Sequence, residues 1–194
     1  MDFFGLDIGS RNIKAVQLKK TAADQYQLVA LGSVSSNIKG LSSEAESDLT
    51  ALAEIIKKLC QEVKITTKNV AAAIPEDQVF SRVVTFPKLS EEELASALKW
   101  EAEQWVPIPL AEVSLAHQVL GEIRQDGQEK LEVLLVAAPN RIIEKIQTVL
   151  KTAGLTSVSL ETEILAMARS LVAVNAEPTL LVDLGAKATD LAIV

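Results

Sequence analysis

Alternating apolar and polar positions open the chain. Phe3 to Ile8 and Ile13 to Leu18 read as two strands joined by a short polar turn. Gln25 to Val34 reads as a third, with apolar residues at the alternating positions Leu28, Ala30 and Gly32. A Ser/Gly/Asn-rich loop, SSNIKGLSSE, gives way to helical spacing from about Ala45 to Val63, where Leu49, Leu52, Ile56, Leu59 and Val63 form one apolar stripe. NVAAAIP and VFSRVVTFP are two further strands, each closed by a proline. Ser90 followed by Glu93 is the capping-box signature of a helix start. Leu94, Leu98, Ala102 and Trp105 line one face of that helix, while Trp100 falls on another. Pro107 and Pro109 stop it, because proline cannot continue the hydrogen-bond ladder. Val113 to Glu122 and Leu131 to Ala138 are strands flanking the turn RQDGQE. Asn140 reads as the cap of a helix to about Ala153, with Gly154 in the C′ position. A last helix is expected from about Glu161 to Val174, and TLLVDLGAKATDLAIV returns to strand.

Strands and helices in this order make an α/β architecture. Residues 1–68 open a main domain. The block from Asn69 to Ala138, read as strand, strand, helix, strand, strand, is a small inserted α+β subdomain. Residues 139–178 lead back by helices.

Composition narrows the function. At 194 residues, 48% hydrophobic and 23% charged, the chain has ample material for a core. A net charge of −7 argues against a broad nucleic-acid footprint and disfavours adsorption to anionic lipid. The single Cys60 excludes an internal disulfide and fits a reducing compartment. With no histidine or metal-ligand cluster beside it, it reads as a buried structural thiol. Asp2 stands where a secretory signal needs a basic region. Apolar runs such as Val133 to Pro139 fall far short of the roughly 20 residues that span a bilayer. The expectation is a cytoplasmic protein without direct membrane insertion, linked to a membrane only through a partner. His117 reads as a strand-face residue rather than a base, and no Ser/His/Asp constellation is visible.

The motif that carries chemistry is GLDIGSRNIKAVQL, residues 5–18, where a buried-looking strand ends on Asp7 beside Gly9. Alone it fits an ordinary hairpin as well as a phosphate loop. It has an echo: Leu6-Asp7-Ile8-Gly9-Ser10-Arg11 matches Val182-Asp183-Leu184-Gly185-Ala186-Lys187, and both copies continue into a strand. Glycine lets backbone approach a phosphate closely. Successive N–H groups in such a turn form an anion-binding concavity, to which Ser10 adds a hydroxyl. A carboxylate at the strand end can hold Mg²⁺ through its water shell.

These residues resemble the actin/Hsp70/sugar-kinase superfamily, whose two phosphate hairpins have this form. More narrowly, the chain resembles the PilM family of FtsA-like actin-fold proteins of type IV pilus assembly. The likeness rests on both hairpins and on ALKWEAEQWVPIPLAEVSLAHQVLG, VLLVAAPNRIIEKIQTVLKTAGL and ETEILAMARSL. It implies an actin-like (ribonuclease H-like) fold, incomplete, with the inserted α+β subdomain at 69–138 and the start of a second half at 179–194. It implies ATP with Mg²⁺, held by a first phosphate loop of Gly9, Ser10, Arg11, Asn12 and Lys14 and a second of Gly185, Ala186, Lys187, Ala188 and Thr189. Asp7 and Asp183 take the metal-linked roles, and Glu163 the helix acid that orients an attacking water in hydrolytic relatives. A helix-start carboxylate is also what the helix dipole favours without any catalysis. The family's partner is the cytoplasmic N-terminal tail of PilN in the pilus inner-membrane complex. That tail docks between the first subdomain and the inserted one, with Trp100, Trp105, Pro107 and Pro109 as candidate contacts. The expected function is a nucleotide-responsive scaffold, cytoplasmic and peripheral to the inner membrane. A hydrolytic ATPase and a filament-forming homo-oligomer of the FtsA kind stay open. Because the sequence stops just after the second loop, it reads as a fragment, a proteolysed product or an unusually short gene, expected to bind ATP weakly or not at all by itself.

Overall fold

The computed structural model describes residues 2–22, 25–36, 39–125, 127–173 and 177–194. In chain order its elements are β1 (Phe4–Ile8), β2 (Asn12–Ala22), β3 (Gln25–Ser35), α1 (Glu46–Glu62), β4 (Asn69–Ile74), β5 (Phe80–Pro87), α2 (Glu91–Trp105), β6 (Val113–Gln125), β7 (Gln128–Pro139), α3 (Asn140–Thr152), β8 (Thr156–Thr162), α4 (Glu163–Leu171), β9 (Leu180–Leu184) and β10 (Thr189–Ile193). The chain divides into two compact units, residues 1–76 with 143–194, and residues 77–142.

The first unit is built on a five-stranded sheet of order β3-β2-β1-β4-β8. The β1–β2 and β2–β3 pairs are antiparallel, whereas β4 joins β1, and β8 joins β4, in parallel. This is the ribonuclease H-like arrangement of the actin-like fold. Alternation along β1 and β4 buries Phe4, Leu6, Ile8, Val70, Ala72 and Ile74 on one face. α1 supplies fully buried Leu52, Ala53 and Ile56, and α3 supplies Ile146, Val149 and Leu150. α1 comes close to β3 at Gly32, where an added Cβ would lie 2.2 Å from a Val63 methyl. Cys60 is buried as expected, and burial pushes its thiol pKa up. α3 ends in a Schellman motif: Gly154, at φ +79°, donates to Lys151 while Leu155 donates to Leu150.

The second unit is a three-stranded antiparallel sheet of order β5-β7-β6, with α2 packed on one face. Leu94, Leu98 and Ala102 of α2 meet Val84, Phe86, Val133, Leu135 and Ala137 in its core. The capping box is formed: Ser90 accepts from the Glu93 backbone N–H, and the Glu93 carboxylate accepts from the Ser90 N–H at 2.9 Å. His117 lies on an exposed stretch of β6, opposite Leu135.

Four readings of the sequence are corrected. NVAAAIP belongs to the main sheet as β4, so the inserted unit begins at Asp77 rather than Asn69. Its alternating small and branched residues fit a central strand as well as a subdomain edge. Leu28 points outward and is 55% exposed, because β3 carries an extra residue where Gln17 pairs Ala30 but Leu18 pairs Leu28. TSVSLET, unassigned in the sequence, is the parallel edge strand β8, and the helix after it starts at Glu163 instead of Glu161. Asn140 is already helical, and its side chain serves β6 and the turn before it, accepting from Ser114 Oγ at 2.8 Å and donating to the Ala111 carbonyl. The expected helix end at Val174 lies outside the described residues, as does Asp126 of the RQDGQE turn.

Candidate functional site

The two copies of the opening motif fold into equivalent hairpins. In the first, Ile8 pairs Ile13 and Asp7 pairs Lys14, closing a loop of Gly9, Ser10, Arg11 and Asn12. In the second, Leu184 pairs Thr189 and Asp183 pairs Asp190, closing a loop of Gly185, Ala186, Lys187 and Ala188. Loop length and register are the same. The two glycines do the same work: a Cβ on Gly9 would stand 2.7 Å from the Asn12 carbonyl oxygen, and one on Gly185 2.9 Å from that of Ala188. Each loop therefore folds back on its own backbone where only a hydrogen fits.

The first loop is anchored from β3. Ser36 N–H donates to the Arg11 carbonyl at 2.8 Å, and Ser35 Oγ donates to Asn12 Oδ1 at 3.1 Å. Ser10, Arg11, Asn12 and Lys14 are exposed. Lys14 Nζ closes on Asp7 Oδ2 at 2.8 Å, and this bond, with Asp7's charge, raises the lysine pKa. The charges of Asp183 and Glu163 add to that rise, so the first hairpin senses the second. Asp7 Oδ1 is buried without a hydrogen-bond partner.

Glu163 is the first residue of α4, a helix that contacts both β9 and β10. Burial, then the charge of Asp7, pushes its pKa up to about 7, against a hydrogen bond with the Glu76 backbone that lowers it. Asp183 and Asp190 raise it further. Carboxylate oxygens of Glu163, Asp183 and Asp190 lie within 4.8 Å of one another, all half-buried. Hard, clustered oxygen donors of this kind suit Mg²⁺, and the exposed Ser10, Arg11 and Lys14 of the first loop are groups that suit a phosphate, so the residues fit a Mg²⁺–nucleotide. Glu163, Asp183 and Asp190 would hold the cation, with the loop amides and Lys14 beside the phosphates.

Asp190 was missed in the sequence, although a signal was there. It follows Asp183 by seven residues as Lys14 follows Asp7, but the change from lysine to aspartate hides the match. The other sequence-derived candidates lie in the second unit. Trp100 is 63% exposed on α2, whereas Trp105 is half-buried against that unit's core. Pro107 and Pro109, just after the helix, are both exposed.

Comparison with known proteins agrees with this fold. A solved structure described as a PilM-PilN type IV pilus biogenesis complex is similar over 100% of the chain, at 29% identity and a TM-score of 0.86, with 58% of that chain covered. The cytoplasmic domain of EpsL, an inner membrane component of the type II secretion system of Vibrio cholerae, is similar in fold over 94% of the chain, at 16% identity and a TM-score of 0.58, with 63% of that domain covered. The chain thus spans less than two thirds of either. No helix among the described residues is long and apolar enough to cross a membrane. The family model for type IV pilus assembly protein PilM matches residues 5–194, and the chain belongs to that family.

Proposed function

We propose that the two hairpins bind the phosphates of ATP with Mg²⁺, and that the protein is a nucleotide-responsive scaffold in type IV pilus assembly. One observation carries this reading: the two loops share length, register and an obligatory glycine, each with a carboxylate at its strand end. Backbone amides of Gly9 to Asn12 and Gly185 to Thr189 are the donors, each charge-assisted bond contributing about 1.5–3 kcal/mol. Ser10, Arg11, Lys14 and Lys187 supplement them. The similar structure named as a PilM-PilN complex supports a PilN-type cytoplasmic tail as the partner, which would hold the protein at the cytoplasmic side of the inner membrane. Trp100, Pro107 and Pro109 offer exposed apolar surface for such a peptide.

Calorimetry with tripolyphosphate and with ATP tests the nucleotide reading on the phosphate end that the loops fit. Binding that needs Mg²⁺ and is lost in Gly185→Val supports it; no heat with either compound, or heat unchanged in that variant, refutes it.

A second reading, a hydrolytic ATPase, is favoured by Glu163. A carboxyl poised near neutral pH within the carboxylate cluster is suited to taking a proton from water. ATP turnover abolished in Glu163→Gln while nucleotide binding persists would select it over the scaffold.

A further inference from the structure

We propose that the β2–β3 hairpin docks on the solvent face of α2 in a second copy of this chain, so that copies join head to tail. Two exposed surfaces of opposite charge carry this. In the first sheet, Ile13, Ala15 and Ala30 are buried on the face that packs on α1, where Gly32 meets Val63. The opposite face of the same two strands is open to solvent. There Val16 pairs Leu31, Leu18 pairs Leu28 and Lys20 pairs Tyr26, and Leu18, Tyr26, Leu28 and Leu31 are each at least half exposed. Charge on these strands has one sign: they carry Lys14, Lys19 and Lys20, with no carboxylate from Asn12 to Ala22 or from Gln25 to Ser35. Asp7 holds Lys14, which leaves Lys19 and Lys20 beside the apolar rows.

α2 is the counterpart. It has five glutamates and one lysine. Helical spacing sets Glu92, Ser96, Glu103 and Gln104 around Trp100, all of them exposed. Lys19, Lys20, Glu92 and Glu103 enter none of the ion pairs among the described residues.

The occupant follows from charge. Two hairpins face to face would set lysine against lysine, and two α2 helices glutamate against glutamate, so a symmetric pair is disfavoured. An anionic lipid surface would attract the same lysines but repel the rest of a chain whose net charge is −7. The α2 of another copy answers both lysines with Glu92 and Glu103 and offers Trp100 to Leu18, Tyr26 and Leu28. Such a contact is heterologous and repeats into open chains or rings. With few charge pairs on small surfaces, it is weak and sensitive to salt.

The test is sedimentation equilibrium of the 194-residue chain at about 10 and about 150 mM salt, between which the Debye length falls from about 30 to about 8 Å. Self-association should be present at the lower salt and weaken at the higher. Lys19→Glu with Lys20→Glu, and separately Glu92→Lys with Glu103→Lys, should each weaken it at least about tenfold. An equimolar mixture of the two double variants should regain it, because every contact between unlike copies again joins opposite charges. The glutamate-to-lysine variant is less acidic overall, so association governed by net charge alone would strengthen in it and overturn the proposal. So would a monomeric unaltered protein at the lower salt, or a mixture that fails to associate although both variants melt as the unaltered protein does. Association unchanged in both variants would overturn it too, assigning the contact to the exposed apolar residues of β9 and β10. If the glutamate-to-lysine variant unfolds, Trp100→Ala takes its place, and undiminished association in that variant overturns the proposal. Binding of a monomeric unaltered protein to phosphatidylglycerol vesicles, lost in Lys19→Glu with Lys20→Glu, would assign the hairpin to a lipid surface instead.

Discussion

A half-buried carboxyl group with three other carboxylates near it holds its proton, and Glu163 is so placed beside Asp7, Asp183 and Asp190. Its pKa is raised from an ordinary 4.5 to about 7, so the folded state binds a proton that the unfolded chain releases. The stability this protonation contributes is fully present below about 4.5 and is lost as the pH rises through about 7. In metal-free buffer the melting temperature should therefore fall between pH 5 and pH 8, and Glu163→Gln should remove that part of the slope and melt higher than the unaltered protein at pH 8. Differential scanning calorimetry of both proteins across the range checks the sign, and a Glu163→Gln protein less stable at pH 8 would show that the charged form is favoured instead. Trp100 makes a separate prediction. As an exposed aromatic contact for a PilN-type tail, Trp100→Ala should cost about 2 kcal/mol of peptide binding, read by fluorescence anisotropy, without changing the melting temperature. Unchanged affinity would remove it from the interface. At this scale the sequence was legible where chemistry repeats, as at Gly9 and Gly185. It was opaque at Asp190, because a site residue that changes charge sign between the copies looks like a mismatch.

Among elements, α2 shows how far local signals reach. Its start was readable from Ser90 and Glu93 alone because the capping box is made within four residues. Ser90→Ala should cost the second unit about 1 kcal/mol in urea denaturation, within a range of about 0.5–2. β8 was not readable. TSVSLET is polar and half-exposed at the sheet edge, and only its parallel pairing with β4 makes it a strand. The misplaced boundary at Asn69 has the same origin, since the partner that claims β4 is β1, some 65 residues earlier in the chain. Leu28 fails for a different reason: an extra residue in one strand inverts the alternation beyond it, and no local pattern announces that. Pairings distant in sequence are invisible to periodicity, whereas caps, breaks and stripes are not.

For the whole molecule, family membership and the ribonuclease H-like sheet establish what kind of protein this is, and the hairpins are where the fold offers chemistry. The outer face of the second hairpin places Leu180, Val182, Leu184, Leu191 and Ile193 in solvent, with Leu184 and Ile193 about four fifths exposed. Apolar surface of this kind promotes association. Replacing both Leu184 and Ile193 by lysine should shift stability by no more than about 0.5 kcal/mol each while lowering aggregation, measured by urea melts and light scattering. The central claim is that two hairpins far apart in sequence act as the two halves of one phosphate site. Nuclear magnetic resonance of the ¹⁵N-labelled protein titrated with Mg²⁺–tripolyphosphate tests it most directly. Amides of Gly9 to Asn12 and of Gly185 to Ala188 should shift together along one saturation curve. Shifts confined to one loop, or in neither, would contradict it.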